Sequence, residues 1–197
     1  MVKSASNDTA VICFDMENVI ALPRANISSF FYKRKLNLYN LTCHLSLGSY
    51  CAIWTEGLAG RGANHIESGL ITALDTIVKE YSSIKHLILW SDSCMPQNRN
   101  SIISYALLEF MQHHSGIETV QQKFCEPGHS SIQEVDNIHS HIENRLKNTE
   151  VFSPISVVQQ LLKVNFDNPL NVIQMKANDF KNFKSRLSNL PSKVCHT

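Results

Sequence analysis

Apolar residues along this chain fall into short compact runs separated by longer stretches of helical spacing, the rhythm of an α/β domain. The run Thr9-Ala-Val-Ile-Cys-Phe-Asp15 carries apolar residues on both faces and stops at a carboxylate, so it reads as a central strand. A side-chain period of two sets Cys13, Asp15 and Glu17 on one side of it and Ile12, Phe14 and Met16 on the other. Two extended segments around the Gly48-Ser49 turn predict an antiparallel pair beside it, while Lys33 to Tyr39 suits helix or strand equally. Ile66, Leu70, Ile71, Leu74, Ile77 and Val78 then recur at helical spacing as far as Tyr81.

Leu87-Ile-Leu-Trp90 predicts a strand that ends at Ser91-Asp92, passes a Ser/Pro turn and opens into a buried helix over Ile102 to Met111. Val120 to Cys125 predicts a fifth strand. In the next helix Ile132, Val135, Ile138, Ile142 and Leu146 define the buried face. At about 100° per residue, Asp136, His139 and Glu143 fall along one edge of that face, and Glu134 points elsewhere. Ser153-Pro154 starts a further helix, Asn171 to Lys176 is extended, and Asp179 to Leu187 is helical.

Length refines this picture. A chain of 197 residues suits one main core. The expected organisation is a flexible lead-in at 1–9, the core at 10–150, a helix-strand-helix extension packed on it at 151–190, and a flexible tail at 191–197. With 43% hydrophobic and 18% charged residues the chain as a whole is too apolar to be a disordered segment. No apolar run approaches the roughly 18 to 20 residues of a membrane span, and the polar start lacks a secretory signal, so no membrane partner and an intracellular setting are expected. Six cysteines without any C-x-x-C pair read as reduced thiols, and no structural zinc site is expected.

A formal net charge of +1 gives no strong overall field, so any nucleic-acid binding must be local. Basic residues cluster at Lys33-Arg34-Lys35 and between Lys176 and Lys193, Lys181 and Lys184 among them. The glycine-rich approach Glu56-Gly-Leu-Ala-Gly-Arg-Gly-Ala-Asn-His65 could present free N–H groups and Arg61 to a phosphate, although no P-loop or dinucleotide pattern is present. His113 and His114, at a helix end, read as capping or surface residues.

Taken singly, the acids have plain explanations: a paired Asp15, a turn or cap at Asp92, a polar helix flank at Asp136. Their order is more telling. An acid on the first strand, one after the fourth, and one on a late helix resemble the RNase H-like nuclease and transposase superfamily. Ser91-Asp-Ser-Cys-Met-Pro-Gln-Asn-Arg-Asn100 and Glu126 to Glu143 are similar to the two signature blocks of a domain of unknown function found in transposon-derived proteins of many invertebrates. Trp54 to Gly62 and Met175 to Lys184 resemble its lesser blocks, so the likeness runs from about residue 10 to 185.

The resemblance implies an RNase H-like, five-stranded mixed sheet flanked by helices, with a small C-terminal extension. It implies Asp15, Asp92 and Asp136 as an acidic triad holding two divalent ions, Mg²⁺ or Mn²⁺, with no organic cofactor. His139 and Glu143 would position water or a metal-bound group. His129 at its turn and Gln97, Asn98 and Asn100 would lie near a DNA backbone; the glycine-rich approach adds Arg61, and the local basic cluster adds Lys181 and Lys184, as further phosphate contacts. The implied activity is DNA phosphodiester cleavage or strand transfer in the nucleus, by a protein that could act as a homo-oligomer. An inactive, domesticated DNA-binding or protein-interaction module is the alternative. A hydrolase using His129 or His139 as base ranks last, since no nucleophile-elbow pattern is present.

Overall fold

The strand β1 (Thr9–Met16) lies between an antiparallel neighbour, β3 (Leu36–Leu45), and a parallel one, β5 (His86–Ser91). The computed structural model describes residues 8–25, 34–92, 99–125, 134–165 and 168–189. From β3 the chain turns at Gly48 into antiparallel β4 (Gly48–Thr55), and β6 (Thr119–Phe124) lies parallel to β5 on the far side. The five expected strands thus run β6-β5-β1-β3-β4, with β3 alone antiparallel to the rest. That order and set of directions is the RNase H-like arrangement.

Two further strands bring the sheet to seven. The short β2 (Ile20–Leu22) pairs with β3, and β7 (Asn171–Gln174) adds in parallel to β4, so the C-terminal segment supplies an edge of the sheet. Strands of three and four residues are too short to show an alternation in sequence. The ambiguous stretch resolves as strand from Leu36 onward because β2 pairs with its start, Leu36 to Leu38, and β4 with it from Leu38 on.

Each face of the sheet carries its own core. On one, Ile12, Phe14, Leu41 and Leu89 pack against α1 (Ala63–Glu80) and α2 (Ser101–His113). α1 can lie close because Gly69 has no side chain; a Cβ there would sit 3.2 Å from both Leu41 and Trp54. On the other face, Ile20, Leu22, Leu38 and Ile53 meet Ile142 and Leu146 of α3 (Glu134–Lys147) and Val157 and Leu161 of α4 (Pro154–Leu161). The final helix α5 (Phe183–Ser188) packs on α2 and seats Phe183 in the first core. Among the described residues no helix is long and apolar enough to cross a membrane.

Caps follow the sequence signals. Asn100 begins α2 by accepting from the N–H groups of Ile102 and Ile103 at 2.9 and 3.1 Å, and Ser153 begins α4 by accepting from Ser156 N–H at 3.3 Å. The ring Nδ1 atoms of His113 and His114 bond Glu109 and Phe110 carbonyls at 2.7 and 2.9 Å, the capping role expected of them.

Candidate active site

β1, β4, β5 and β6 point the same way, so their carboxyl ends share one edge of the sheet, the place where α/β proteins collect ligands. Asp15 sits near that end of β1, and Asp92 directly follows β5. Asp15 is partly buried and its Oδ1 accepts from Met16 N–H at 2.7 Å. Burial pushes its carboxyl up to about 6, and the nearby charges of Asp92 and Asp136 push the same way, against the Met16 amide and the Arg61 guanidinium. The charge of Arg61, although exposed, therefore reaches the site.

α3 crosses this face with its polar edge toward β1. Asp15, Asp136 and His139 bring one ligand atom each to within 4.8 Å of one another. They line a cleft of about 340 Å³ together with Glu17, Asn18 and Glu143. Burial holds the His139 imidazole below its ordinary value despite the Asp136 charge, which favours the neutral ring that can donate a lone pair. Its Nε2 is buried and has no hydrogen-bond partner among the described residues. Two crowded carboxylates and an orphaned imidazole nitrogen fit a divalent cation, which would supply the positive charge this cluster lacks.

Glu143 lies in the same cleft, where its Oε2 is held at 2.9 Å by Arg24, just beyond β2. Glu134 is not one of the clustered ligands, but its carboxylate stands 3.7 Å from His44, whose register partner Cys13 shares the Asp15 face. Two acids emerge that residue spacing did not single out as site residues. Glu17, only 2% exposed, lines the cleft and accepts from Asn40 Nδ2 at 2.7 Å, while burial and the Glu143 charge raise it to about 7. Glu67 of α1, fully buried on the opposite face, is pushed up to about 9 by burial, against a side-chain hydrogen bond from Asn100. Glu17 was legible as a neighbour of Asp15 by strand period; Glu67 sits within an apolar helix face and gave no signal.

The remaining expected contacts lie in different places. Gln97, Asn98 and His129 fall outside the described residues. Asn100 uses its side-chain oxygen as the α2 cap. Lys181 and Lys184 belong to the segment packed on α1 and α2, across the sheet from the cleft: Lys181 Nζ is 3.7 Å from Glu109, and Lys184 N–H donates to Asn64. A basic and aromatic pair lies nearer. Trp90 shares the Asp15 face, because its register partner on β1 is Cys13, and Lys123 Nζ stands 5.5 Å from the Trp90 ring centroid.

An RNase H-like sheet with an acidic, histidine-bearing cleft at its carboxyl edge defines the class of this protein. No family model matches the sequence and no curated protein matches it. Among solved structures, the chain is similar to the human cytomegalovirus terminase nuclease domain soaked with Mn, with a TM-score of 0.32, 9% identity, and coverage of 96% of this chain and 76% of that one. A second structure of that nuclease domain matches with a TM-score of 0.28, 5% identity, and coverage of 96% and 77%. Scores so low bear no weight; strand order and direction carry the fold assignment.

Proposed function

We propose that this protein is a divalent-metal-dependent nuclease or polynucleotidyl transferase acting on DNA, of the transposase-like branch implied by the signature blocks, and that it works in the nucleus. The observation that supports this most is the convergence of Asp15, Asp136 and His139, with Asp92 close enough to raise Asp15. Those residues would hold Mg²⁺ or Mn²⁺. When bound, two such ions stabilise charge on the attacking and leaving oxygens of a phosphodiester and acidify water.

The chain's own residues do the rest. Asp15 and Asp136 stand on different elements, so the sheet edge and α3 fix the cluster from two sides. His139, held neutral, adds a nitrogen donor. Lys123 beside Trp90 offers a phosphate a cation and a base a ring on the same sheet face as the cluster.

The test is cleavage of plasmid and oligonucleotide DNA by the full chain with Mg²⁺ or Mn²⁺, against Asp15→Asn and Asp136→Asn. The expected result is metal-dependent cutting that each variant loses. Cutting that survives either substitution, or that persists in a chelator, overturns the reading. Salt-sensitive DNA binding without cutting under any divalent ion would favour the domesticated binding module instead.

A further inference from the structure

β6 is an edge strand, so among the described residues no further strand flanks the corner where β5 and β6 end. Asp92, which directly follows β5, stands at that corner, and its charge acts on Asp15. The register pairs Trp90 with Lys123 and Ser91 with Phe124, and side chains alternate between faces as each strand runs out. Trp90 and Lys123 take the Asp15 face. Phe124 takes the opposite one, the face that Leu89 shares with α1 and α2.

That second face carries a cation and a ring of its own. Arg99, the residue before the α2 cap, holds its guanidinium 5.5 Å from the Phe124 ring centroid, the same separation as Lys123 Nζ from Trp90 on the other side. Both cations are exposed and both rings are partly open to solvent. Among the described residues neither cation makes an ion pair, whereas Arg24, Lys85, Lys181 and Arg186 each stand against a carboxylate. A cation resting over a ring keeps its charge for an anion, and the ring beside it offers a flat partner a surface to stack on.

The two pairs narrow the form of DNA that fits. A single strand lying on the Asp15 face meets only Lys123 and Trp90. A closed duplex offers phosphates to both cations but an unpaired base to neither ring. Both pairs are satisfied by a nucleic acid whose strands have parted, with the corner of the sheet between its arms. We infer that this protein recognises DNA at the junction of duplex and single strands, one arm held by Lys123 and Trp90 toward Asp15, the other by Arg99 and Phe124. The inference rests on the proposed action on DNA. Charge holds each backbone without regard to sequence, and each ring takes an unpaired base of its arm. A cut made in this arrangement falls beside the junction, in the arm on the Asp15 face.

Binding of the full chain to a forked duplex, to the closed duplex and to each single strand is measured by fluorescence anisotropy in a chelator, for wild type, Arg99→Gln and Lys123→Gln. The expected result is a fork held about tenfold more tightly than either single strand, the worth of one further stacked base with its phosphate. Arg99→Gln should remove that advantage and leave single-strand affinity unchanged, whereas Lys123→Gln should weaken fork and single strand alike. A fork bound no better than a single strand, or an Arg99→Gln variant that keeps the whole advantage, overturns the inference. Cleavage of the same DNAs in Mn²⁺ separates it from the reading it rests on. Fork preference without cutting leaves the junction site standing and overturns the nuclease, while metal-dependent cutting indifferent to the junction does the reverse.

Discussion

Asp15 and His139 lie far apart in the sequence, on a strand and on a helix, yet with Asp136 their ligand atoms fall within one 4.8 Å group. Burial and two neighbouring acids already act against a charged Asp15. A site so arranged is unfavourable when empty and gains when a cation enters. Divalent ions should therefore stabilise the protein, by about 2.7 kcal/mol at a hundredfold excess over the dissociation constant. Mn²⁺ should raise the Tm of wild type in calorimetric scans. Asp15→Asn should start from a higher metal-free Tm and lose the response, while nuclease activity falls roughly a hundredfold or more.

His139 makes the donor set mixed. Imidazole suits the softer first-row ions, whereas Mg²⁺ prefers oxygen throughout. Mn²⁺ should accordingly support faster cleavage than Mg²⁺. His139→Asp should narrow or reverse that preference, read as the ratio of initial rates in the two metals, whereas a His139 that merely packs would leave the ratio unchanged.

Much of this site could be read from the sequence because two of its parts obey local periods. Asp15 ends an apolar run, and Asp136, His139 and Glu143 share a helix edge by 100° steps. What could not be read was set by partners distant in the chain. The burial of Glu17 depends on Asn40 across the β1–β3 ladder, and the pairing of Glu143 depends on Arg24. Charge suggested Lys181 as a DNA contact, and the Glu109 of α2 that stands 3.7 Å from its Nζ is a relation no local pattern encodes. Nor could β2 or β7 be counted as sheet strands until β3 and β4 were seen to accept them.

Glu67 allows a pH test away from the cleft. Its folded value is raised by burial to about 9 from the model-peptide 4.5, so the folded state holds a proton that the unfolded state has already released between those values. Its contribution is fully present below pH 4.5 and is lost as pH rises toward 9. Stability should fall across that window by at most about 1.4 kcal/mol per pH unit from this group. Glu67→Gln cannot ionise, so its denaturation midpoint should exceed wild type at pH 8, with the gap closing near pH 4.5. Parallel pH profiles for the two proteins would contradict this.

Asn100 separates a structural role from a DNA contact. Its side-chain oxygen already accepts from two α2 N–H groups, so Asn100→Ala should cost about 1 kcal/mol of stability, whereas Asn100→Ser should cost little. DNA affinity and its salt dependence should change in neither variant. A drop in affinity for both would make Asn100 a backbone contact after all.

The pair of Lys123 and Trp90 should behave in the opposite way. Lys123 is exposed, and its ammonium stands near a ring already partly open to solvent on the Asp15 face. A phosphate can take the cation while an unpaired base meets the ring, a combination a fully stacked duplex cannot offer. Lys123→Gln should weaken binding to all DNA sequences alike and flatten the slope of log affinity against log salt by about 0.7 for single strands. Trp90→Ala should cost single-strand binding about 1–3 kcal/mol and change the slope little, because a ring contributes stacking and no counterion release. Fluorescence anisotropy over a salt series distinguishes the two. Equal losses for single-stranded and duplex DNA in Trp90→Ala would show that the ring supports the sheet rather than the strand.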